Sequence, residues 1–196
     1  MTKLKFVFST VVFVFVLLLS LTDSFAQSPA KIPAEPSFDV ILQTVVASNN
    51  PIDKSDIPQS LSVVIKKLRA DFLFSNYRLT SIYMQRVANL GNVEFKGVSN
   101  ETNQNQDKSP ATFSDWSLVG LENLLDEKGQ ATIQIQKFRF GQRVPIIVSS
   151  TVTYESVGFT TKFSLTKNVP TVIGSVTTAT PDELMFVILT VKSAEQ

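Results

Sequence analysis

The 196-residue chain contains neither cysteine nor histidine. Without cysteine it forms no disulfide bonds, and it supplies neither a thiolate nucleophile nor a thiolate metal ligand. Without histidine it lacks the imidazole on which Ser-His-Asp triads and most zinc sites depend. These absences exclude several catalytic mechanisms and leave only those that use carboxylates, lysine or tyrosine.

Glycine is scarce, and the seven glycines form no G-x-G-x-x-G or P-loop pattern, so a nucleotide site has no support. The carboxylates that stand out are Asp53, Asp56 and the pairs Asp126-Glu127 and Asp182-Glu183. They lie in predicted turns or caps and lack the spacing of a calcium-binding loop, and nothing marks a glycosidase pair among them. We therefore predict no catalytic residue, no cofactor-binding residue, no metal ligand and no cofactor.

Long apolar runs are also absent, except for one near the start of the chain. Lys3 and Lys5 precede 16 mostly apolar residues, 6–21, and Ser24-Phe25-Ala26 then forms a small-x-small site. This pattern predicts a signal peptide over residues 1–26. An uncleaved anchor in the inner membrane is the alternative, although a spanning helix needs about 17–25 residues. Both readings place the rest of the chain across the membrane, in the periplasm or outside the cell.

Excess charge of one sign disappears once the signal is removed. The chain has 18 basic and 17 acidic residues; losing Lys3, Lys5 and Asp23 leaves 18 − 2 = 16 and 17 − 1 = 16. A neutral remainder without a basic stripe makes nucleic acid an unlikely partner. The cluster Lys66-Lys67-x-Arg69 is expected on the solvated face of a helix rather than on an anionic membrane.

Residues 27–37 are rich in proline and predict a linker, followed by a single domain over residues 38–196. One amphipathic helix is predicted at about 57–71, with Asp56 as N-cap and Gln59 completing a capping box. Its apolar face has the spacing i, i+3, i+4, i+7 typical of a helix packed on a core: Leu61, Val64, Ile65 and Leu68.

The remaining apolar segments have the alternation of β-strands. A first strand over residues 38–47, the helix and a second strand form a β-α-β start. About seven strands follow, many joined as hairpins, which predicts an α+β fold with a mainly antiparallel sheet or sandwich. The predicted strands after the helix are 77–87, 93–98, 113–124, 131–140, 144–154, 159–165, 170–176 and 184–192.

Three local features refine this prediction. The turn-like residues 89–92 predict a hairpin between strands 77–87 and 93–98. Gly141-Gln142 is expected to end one strand and to turn the chain into the next. Within the predicted strand 131–140, Ile133 and Ile135 have the opposite parity to Phe138 and Phe140. A one-residue bulge at Gln136-Lys137 is therefore expected to bring both pairs onto one face.

Aromatic residues and one sequon are the other candidate sites. Trp116, Tyr77, Tyr83 and Tyr154 can form a sugar-stacking platform, although the mixed sequence around Trp116 favours packing in the core. Asn100-Glu101-Thr102 is an N-glycosylation sequon within a polar segment, which matters only in a eukaryotic secretory route.

The C-terminal half resembles a known pattern. Gly141-Gln142-Arg143-Val144-Pro145-Ile146 precedes the alternating strand 158–165, and Asn168-Val169-Pro170-Thr171-Val172-Ile173-Gly174 precedes the apolar strand 184–192. This order is similar to the β-rich core of secretin-type outer-membrane secretion channels, and the β-α-β start resembles their small periplasmic domains. The resemblance covers roughly residues 38–192, lacks the long transmembrane hairpins of a full channel and carries over no catalytic residues.

Three functions remain open on these grounds. The first is a non-enzymatic domain of the periplasm or cell envelope that binds another envelope or secreted protein, with an association with secretion implied by the resemblance. The second is a β domain that binds a small molecule or carbohydrate. The third is a hydrolase that uses carboxylates alone.

Overall fold

The computed structural model describes residues 36–50, 57–99, 110–125, 129, 131–178, 180 and 182–194. They belong to one compact unit, Glu35–Gln196. The predicted signal peptide, nearly all of the predicted linker and the sequon lie outside the described residues, as do Asp53, Asp56 and Asp126-Glu127.

The described part of the chain contains eight strands and one helical segment. A 3-10 turn, Gln59–Leu61, leads directly into the α-helix α1. The strands and the helix have these bounds: β1 Ser37–Ser48, α1 Ser62–Asp71, β2 Asn76–Ala88, β3 Asn92–Ser99, β4 Thr112–Leu125, β5 Ala131–Val148, β6 Thr151–Thr166, β7 Thr171–Thr177 and β8 Glu183–Ser193.

The strands form two four-stranded sheets. Sheet A has the order β2-β1-β8-β7 and sheet B the order β3-β4-β5-β6, and every pairing is antiparallel. With one helix packed on one of the sheets, this is an α+β fold built around a β-sandwich, as the sequence predicted.

The main core lies between the two sheets. Sheet A contributes the even-numbered side chains of β1 and the odd-numbered side chains of β8, and sheet B contributes large aromatic and aliphatic residues of β4 and β5. The buried members are Phe38, Val40, Leu42, Val46, Val87, Trp116, Leu118, Leu121, Ile133, Ile135, Phe138, Phe140, Leu165, Val176, Met185, Val187, Leu189 and Val191. Because no disulfide is available, this apolar burial carries most of the stability.

A second, smaller core lies on the other face of sheet A, beneath α1. The predicted stripe of Leu61, Val64, Ile65 and Leu68 packs there against Val45, Ala47, Tyr77, Phe186 and Ile188. Because the central strands β1 and β8 are covered on both faces, their sequences are apolar in both parities, as predicted. The helix ends at Asp71 as expected but begins at the turn of Gln59, two residues later than predicted.

The predicted hairpin between β2 and β3 is wrong, because the two strands belong to different sheets. The chain crosses from sheet A to sheet B at residues 89–91, where the Leu90 N–H donates to the Leu121 carbonyl of β4 at 2.6 Å. Tyr83 of β2 and Phe95 of β3 then meet across the sandwich, with ring centroids 4.7 Å apart. The glycine-containing turn therefore connects two layers rather than two paired strands.

The predicted turn at Gly141-Gln142 is also wrong. β5 continues through both residues to Val148, and the chain reverses at Ser149-Ser150. The predicted strands 144–154 and 159–165 therefore become the far end of β5 and one long β6. A Cβ at Gly141 would lie 2.8 Å from Oδ1 of Asp115 on β4, so a larger residue there would displace the Asp115 side chain.

The predicted bulge at Gln136-Lys137 is confirmed. The β5–β6 register shifts between Ile135 and Phe138, and both predicted pairs of side chains point into the main core. β6 has one wet face and β8 is a central strand, also as predicted.

Candidate functional site

The β5–β6 hairpin extends beyond the rest of sheet B. The register between β4 and β5 runs only as far as the Phe113–Arg143 pair, whereas β5 and β6 stay paired to Val148 and Thr151. Within the described residues, positions 145–154 therefore form a two-stranded projection, which we call the β5–β6 arm.

The turn at the end of the arm has the geometry of a tight hairpin. Ser149 has a φ of 48° and Ser150 a φ of 67°, so both central residues are left-handed. Such turns match the right-handed twist of the flanking strands, although glycine or asparagine adopts them at lower cost than serine. The turn holds the two strands of the arm in one register.

The arm exposes apolar side chains that a soluble surface normally hides. Ile147 is 71% exposed and Val148 54%, and on the opposing strand Val152 is 44% and Tyr154 42% exposed. Ile147 and Val152 are directly paired, and Pro145 pairs with Tyr154. Since alternate residues share one face of a strand, these four side chains form one apolar patch on the outer face of the arm.

The arm also carries no charge. Residues 144–154 contain no Asp, Glu, Lys or Arg, so Arg143 and Glu155 are the charged residues that flank it. Natural proteins usually guard exposed strand edges with charges, bulges or short lengths. In this sandwich the edge strands β2 and β3 carry charged side chains, and β7 is short and bulged. The arm has none of these features, which is typical of an edge that pairs with another chain.

A polar groove continues the apolar patch across the outer face of sheet B. Its volume is about 780 Å³, and its floor includes Gly141 and Gly158, which are directly paired. A Cβ at Gly158 would clash with the carbonyl oxygen of Phe140, and the Asp115 carboxylate lies over Gly141. The backbone of Gly158 therefore leaves no room for a side chain.

Positively charged side chains outnumber carboxylates along this groove. Lys96, Arg139 and Arg143 line it, together with Asp115. Arg139 donates to Asp115 at 2.6 Å, and Lys96 pairs with Glu94 at 2.9 Å. Lys96 lowers the pKa of Glu94, chiefly through that hydrogen bond, and Glu94 in turn raises the pKa of Lys96.

Arg143 is the cation that joins the groove to the arm. Its guanidinium lies 4.9 Å from the ring centroid of Phe113, and that ring is in turn 5.6 Å from the ring of Tyr154. Among the described residues no carboxylate forms an ion pair with Arg143. The groove therefore presents one guanidinium that is held by an aromatic ring and is available to an external anion.

The chain matches no family model, and no curated protein is significantly similar to it.

The aromatic residues proposed as a sugar platform do not come together. Trp116 is 1% exposed and Tyr77 is fully buried, and they lie in the two different cores. Tyr83 packs on the main core, and only Tyr154 reaches the surface, on the arm. The alternative reading of Trp116 as a core residue is the one that the structure supports.

The other residues considered from the sequence occupy ordinary positions. Lys66, Lys67 and Arg69 lie on the exposed side of α1, as expected for a solvated face. Asp182 has a positive φ of 61° in the turn before β8, and Glu183 accepts a hydrogen bond from Thr178. In the part of the chain that the structure describes, no three potential metal ligands form a group, and no helix is long and apolar enough to cross a membrane.

Sequence reasoning missed the arm because it predicted a turn at Gly141-Gln142 and one continuous strand over residues 144–154, where the structure has the turn of the arm at Ser149-Ser150. The uncharged stretch between Arg143 and Glu155 was visible in the sequence. What the sequence did not reveal is that β4 starts at Thr112, so that among the described residues the end of β5 pairs with no strand on that side.

Proposed function

We propose that the protein is an exported, non-enzymatic domain of the periplasm or cell envelope that binds another protein through its β5–β6 arm. The observation that carries the proposal is the uncharged two-stranded projection whose outer face exposes Ile147, Val152 and Tyr154. An isolated hairpin of this kind is marginally stable in water. Pairing with a strand of a partner would hydrogen-bond its edge backbone groups and bury its apolar side chains.

Export is part of this proposal and is supported by the basic start, the apolar run over residues 6–21 and the small-x-small site before Gln27. Cell fractionation followed by N-terminal sequencing tests it. Export with cleavage yields a soluble envelope protein that begins at or near Gln27. A protein that stays in the cytoplasm would contradict the proposal.

Because the order of motifs in the C-terminal half resembles that of secretin-type channels, the proposal includes a role in secretion. A role without catalysis is supported by the lack of histidine and cysteine and by the scattered carboxylates. The groove beside the arm supports a second candidate, a small-molecule site, because its volume lies within the range of about 300–1,000 Å³ usual for ligand pockets.

Site-specific photocrosslinking in intact cells of the source organism tests the binding proposal. A photoreactive amino acid replaces Ile147 in one variant of the full chain and Val63 in a control, since Val63 is 78% exposed on α1, far along the chain from the arm. We expect a discrete heteromeric product from position 147 and none from position 63. Equal labelling at both positions, or none at either, would count against the arm as a binding surface.

A further inference from the structure

The apolar patch of the arm and the cationic groove form one continuous surface. Along β5 the outer-face positions run from Ile147 through Pro145, Arg143 and Gly141 to Arg139, and β6 supplies the facing residues from Val152 to Thr160. At about 3.4 Å per residue, the eight steps from Ile147 to Arg139 span about 27 Å. An extended peptide of eight or nine residues has the same length.

The two ends of this surface differ in chemistry. The arm end is uncharged and offers Ile147, Val152 and Tyr154. The groove end offers hydroxyl groups of Ser156 and Thr160 and three cations, and only Asp115 among its lining residues is acidic. Since Arg139 already holds Asp115 and Lys96 pairs with Glu94, the cation left to meet an incoming carboxylate is Arg143.

The glycine floor explains how a peptide backbone can approach this closely. Gly141 and Gly158 add no side chain of their own to this face, and although the Asp115 carboxylate lies over Gly141, an extended segment can approach the sheet closely at Gly158. Arg143 is held against the Phe113 ring, which reduces the conformational entropy that it loses when it binds a carboxylate.

We infer that the partner of the arm is a protein that presents an extended segment of eight or nine residues, with apolar side chains at one end and aspartate or glutamate at the other. The inference rests on the proposed function, because it specifies the partner of the same surface. Apolar residues of the segment lie against the arm, and its carboxylates lie in the groove against Arg143.

Selection from a randomised twelve-residue peptide library tests the inference. The protein, purified after expression of the full chain, is the bait. We expect enriched sequences with a cluster of apolar residues beside a cluster of Asp and Glu. Enriched peptides are then measured against Arg143→Gln, with Lys162→Gln as the matched control. Lys162 lies on an exposed position of β6 but does not line the groove, so its change removes the same charge elsewhere.

The expected result is an affinity loss of about tenfold for Arg143→Gln and less than twofold for Lys162→Gln, since charge-assisted hydrogen bonds are the stronger kind. Enrichment without acidic residues, no enrichment, or equal losses in both variants would overturn the inference. Binding to vesicles of phosphatidylcholine and phosphatidylglycerol that requires Ile147 and Arg143 would also overturn it, by assigning the surface to a membrane.

Failure of this inference is distinguishable from failure of the proposed function. A heteromeric crosslink at position 147, together with library peptides that lack acidic residues, would support the arm as a binding surface and contradict an acidic partner segment. No crosslink at position 147 removes the function itself, whatever the library yields.

Discussion

The two ends of the β5–β6 hairpin have similar strand propensity and opposite environments. We call the part of sheet B in which β5 pairs with β4 the body. In the body, Phe138 and Phe140 are at most 1% exposed, whereas Ile147 and Val152 in the arm are 71% and 44% exposed. Both ends are rich in residues that favour strands, so propensity does not distinguish them. The difference arises because β4 and the facing sheet cover only the body. Apolar residues pack in the main core at one end and remain exposed at the other.

Deleting Gln136 and Lys137 together is expected to have the largest effect on the body. The deletion joins Ile135 directly to Phe138, and adjacent residues of a strand point to opposite faces, so Ile133 and Ile135 can no longer share a face with Phe138 and Phe140. Exposing two large apolar side chains at about 2–3 kcal/mol each lowers the free energy of unfolding by on the order of 5 kcal/mol. Urea denaturation followed by circular dichroism measures the loss.

The substitution Lys137→Ala is the control for that deletion. It keeps the number of residues and changes an exposed side chain, so its effect is expected to stay within about 0.5 kcal/mol. If the deletion variant were as stable as the control, the bulge would not determine which side chains are buried.

Phe138→Ala is expected to have the next largest effect. The ring is fully buried and contacts the rings of Trp116, Phe159 and Phe163 at centroid distances of 6.1–6.4 Å. Removing it leaves a cavity and costs about 3–5 kcal/mol, measured as a lower urea midpoint. Tyr154→Ala in the arm is the matched control and is expected to cost less than about 1 kcal/mol. Similar losses in both variants would remove the distinction between body and arm.

Gly174→Ala tests the packing between the sheets. A Cβ at this position of β7 would clash with the ring of Phe159 on β6, so the ring or the strand has to move. We expect a loss of about 1–3 kcal/mol. In the double variant with Phe159→Leu the smaller side chain makes room, and the two changes are expected to be non-additive. Strict additivity in the thermodynamic cycle would show that the two residues do not compete for space.

The smallest predicted effect concerns the ion pair between Asp39 of β1 and Arg86 of β2. The Nε atom of Arg86 lies 2.8 Å from Oδ1 of Asp39. The hydrogen bond from Arg86 lowers the pKa of Asp39 below its usual range. Because the pKa of Asp39 is lower in the folded state, the ion pair stabilises the fold at pH values above the usual pKa of aspartate, about 4. That stabilisation is lost as the pH falls through the lowered pKa.

Arg86→Gln tests this pH dependence. We expect the variant to be slightly less stable than the wild type at neutral pH, with the gap closing in acid, as followed by thermal denaturation at several pH values. A gap that stays constant from neutral pH to pH 2 would contradict the assignment. Because the arm has no carboxylate and no basic side chain between Arg143 and Glu155, acid is expected to leave it unaffected.

Sequence reasoning predicted those parts of the fold that depend on local periodicity. The parity change between Ile135 and Phe138 predicted the bulge, and the i, i+3, i+4, i+7 spacing predicted the helical face. It failed where pairing between distant segments decides the outcome. Residues 89–92 have the composition of a hairpin turn. In the structure, however, the backbone N–H of Leu90 donates a hydrogen bond to the carbonyl of Leu121, and the chain continues into the other sheet.

The candidate site was less predictable for the same reason. Gly141 was read as a turn residue because glycine often marks turns, whereas its role is to allow close approach to Asp115. The exposure of Ile147 depends on where β4 begins, and that boundary cannot be inferred from residues 144–154 themselves. A charge-free stretch in a strand predicts burial in most proteins, so only the strand register reveals that it projects.

The most direct test of the division between body and arm is the stability of a shortened chain. In this variant Asn-Gly replaces residues 146–153, so that the hairpin closes just beyond Pro145 and Tyr154. We predict a free energy of unfolding within about 1 kcal/mol of the wild type, because the deleted side chains lie outside both cores. A loss of several kcal/mol would contradict the account, since it would show that the apolar residues of the arm serve folding and are not kept for a partner.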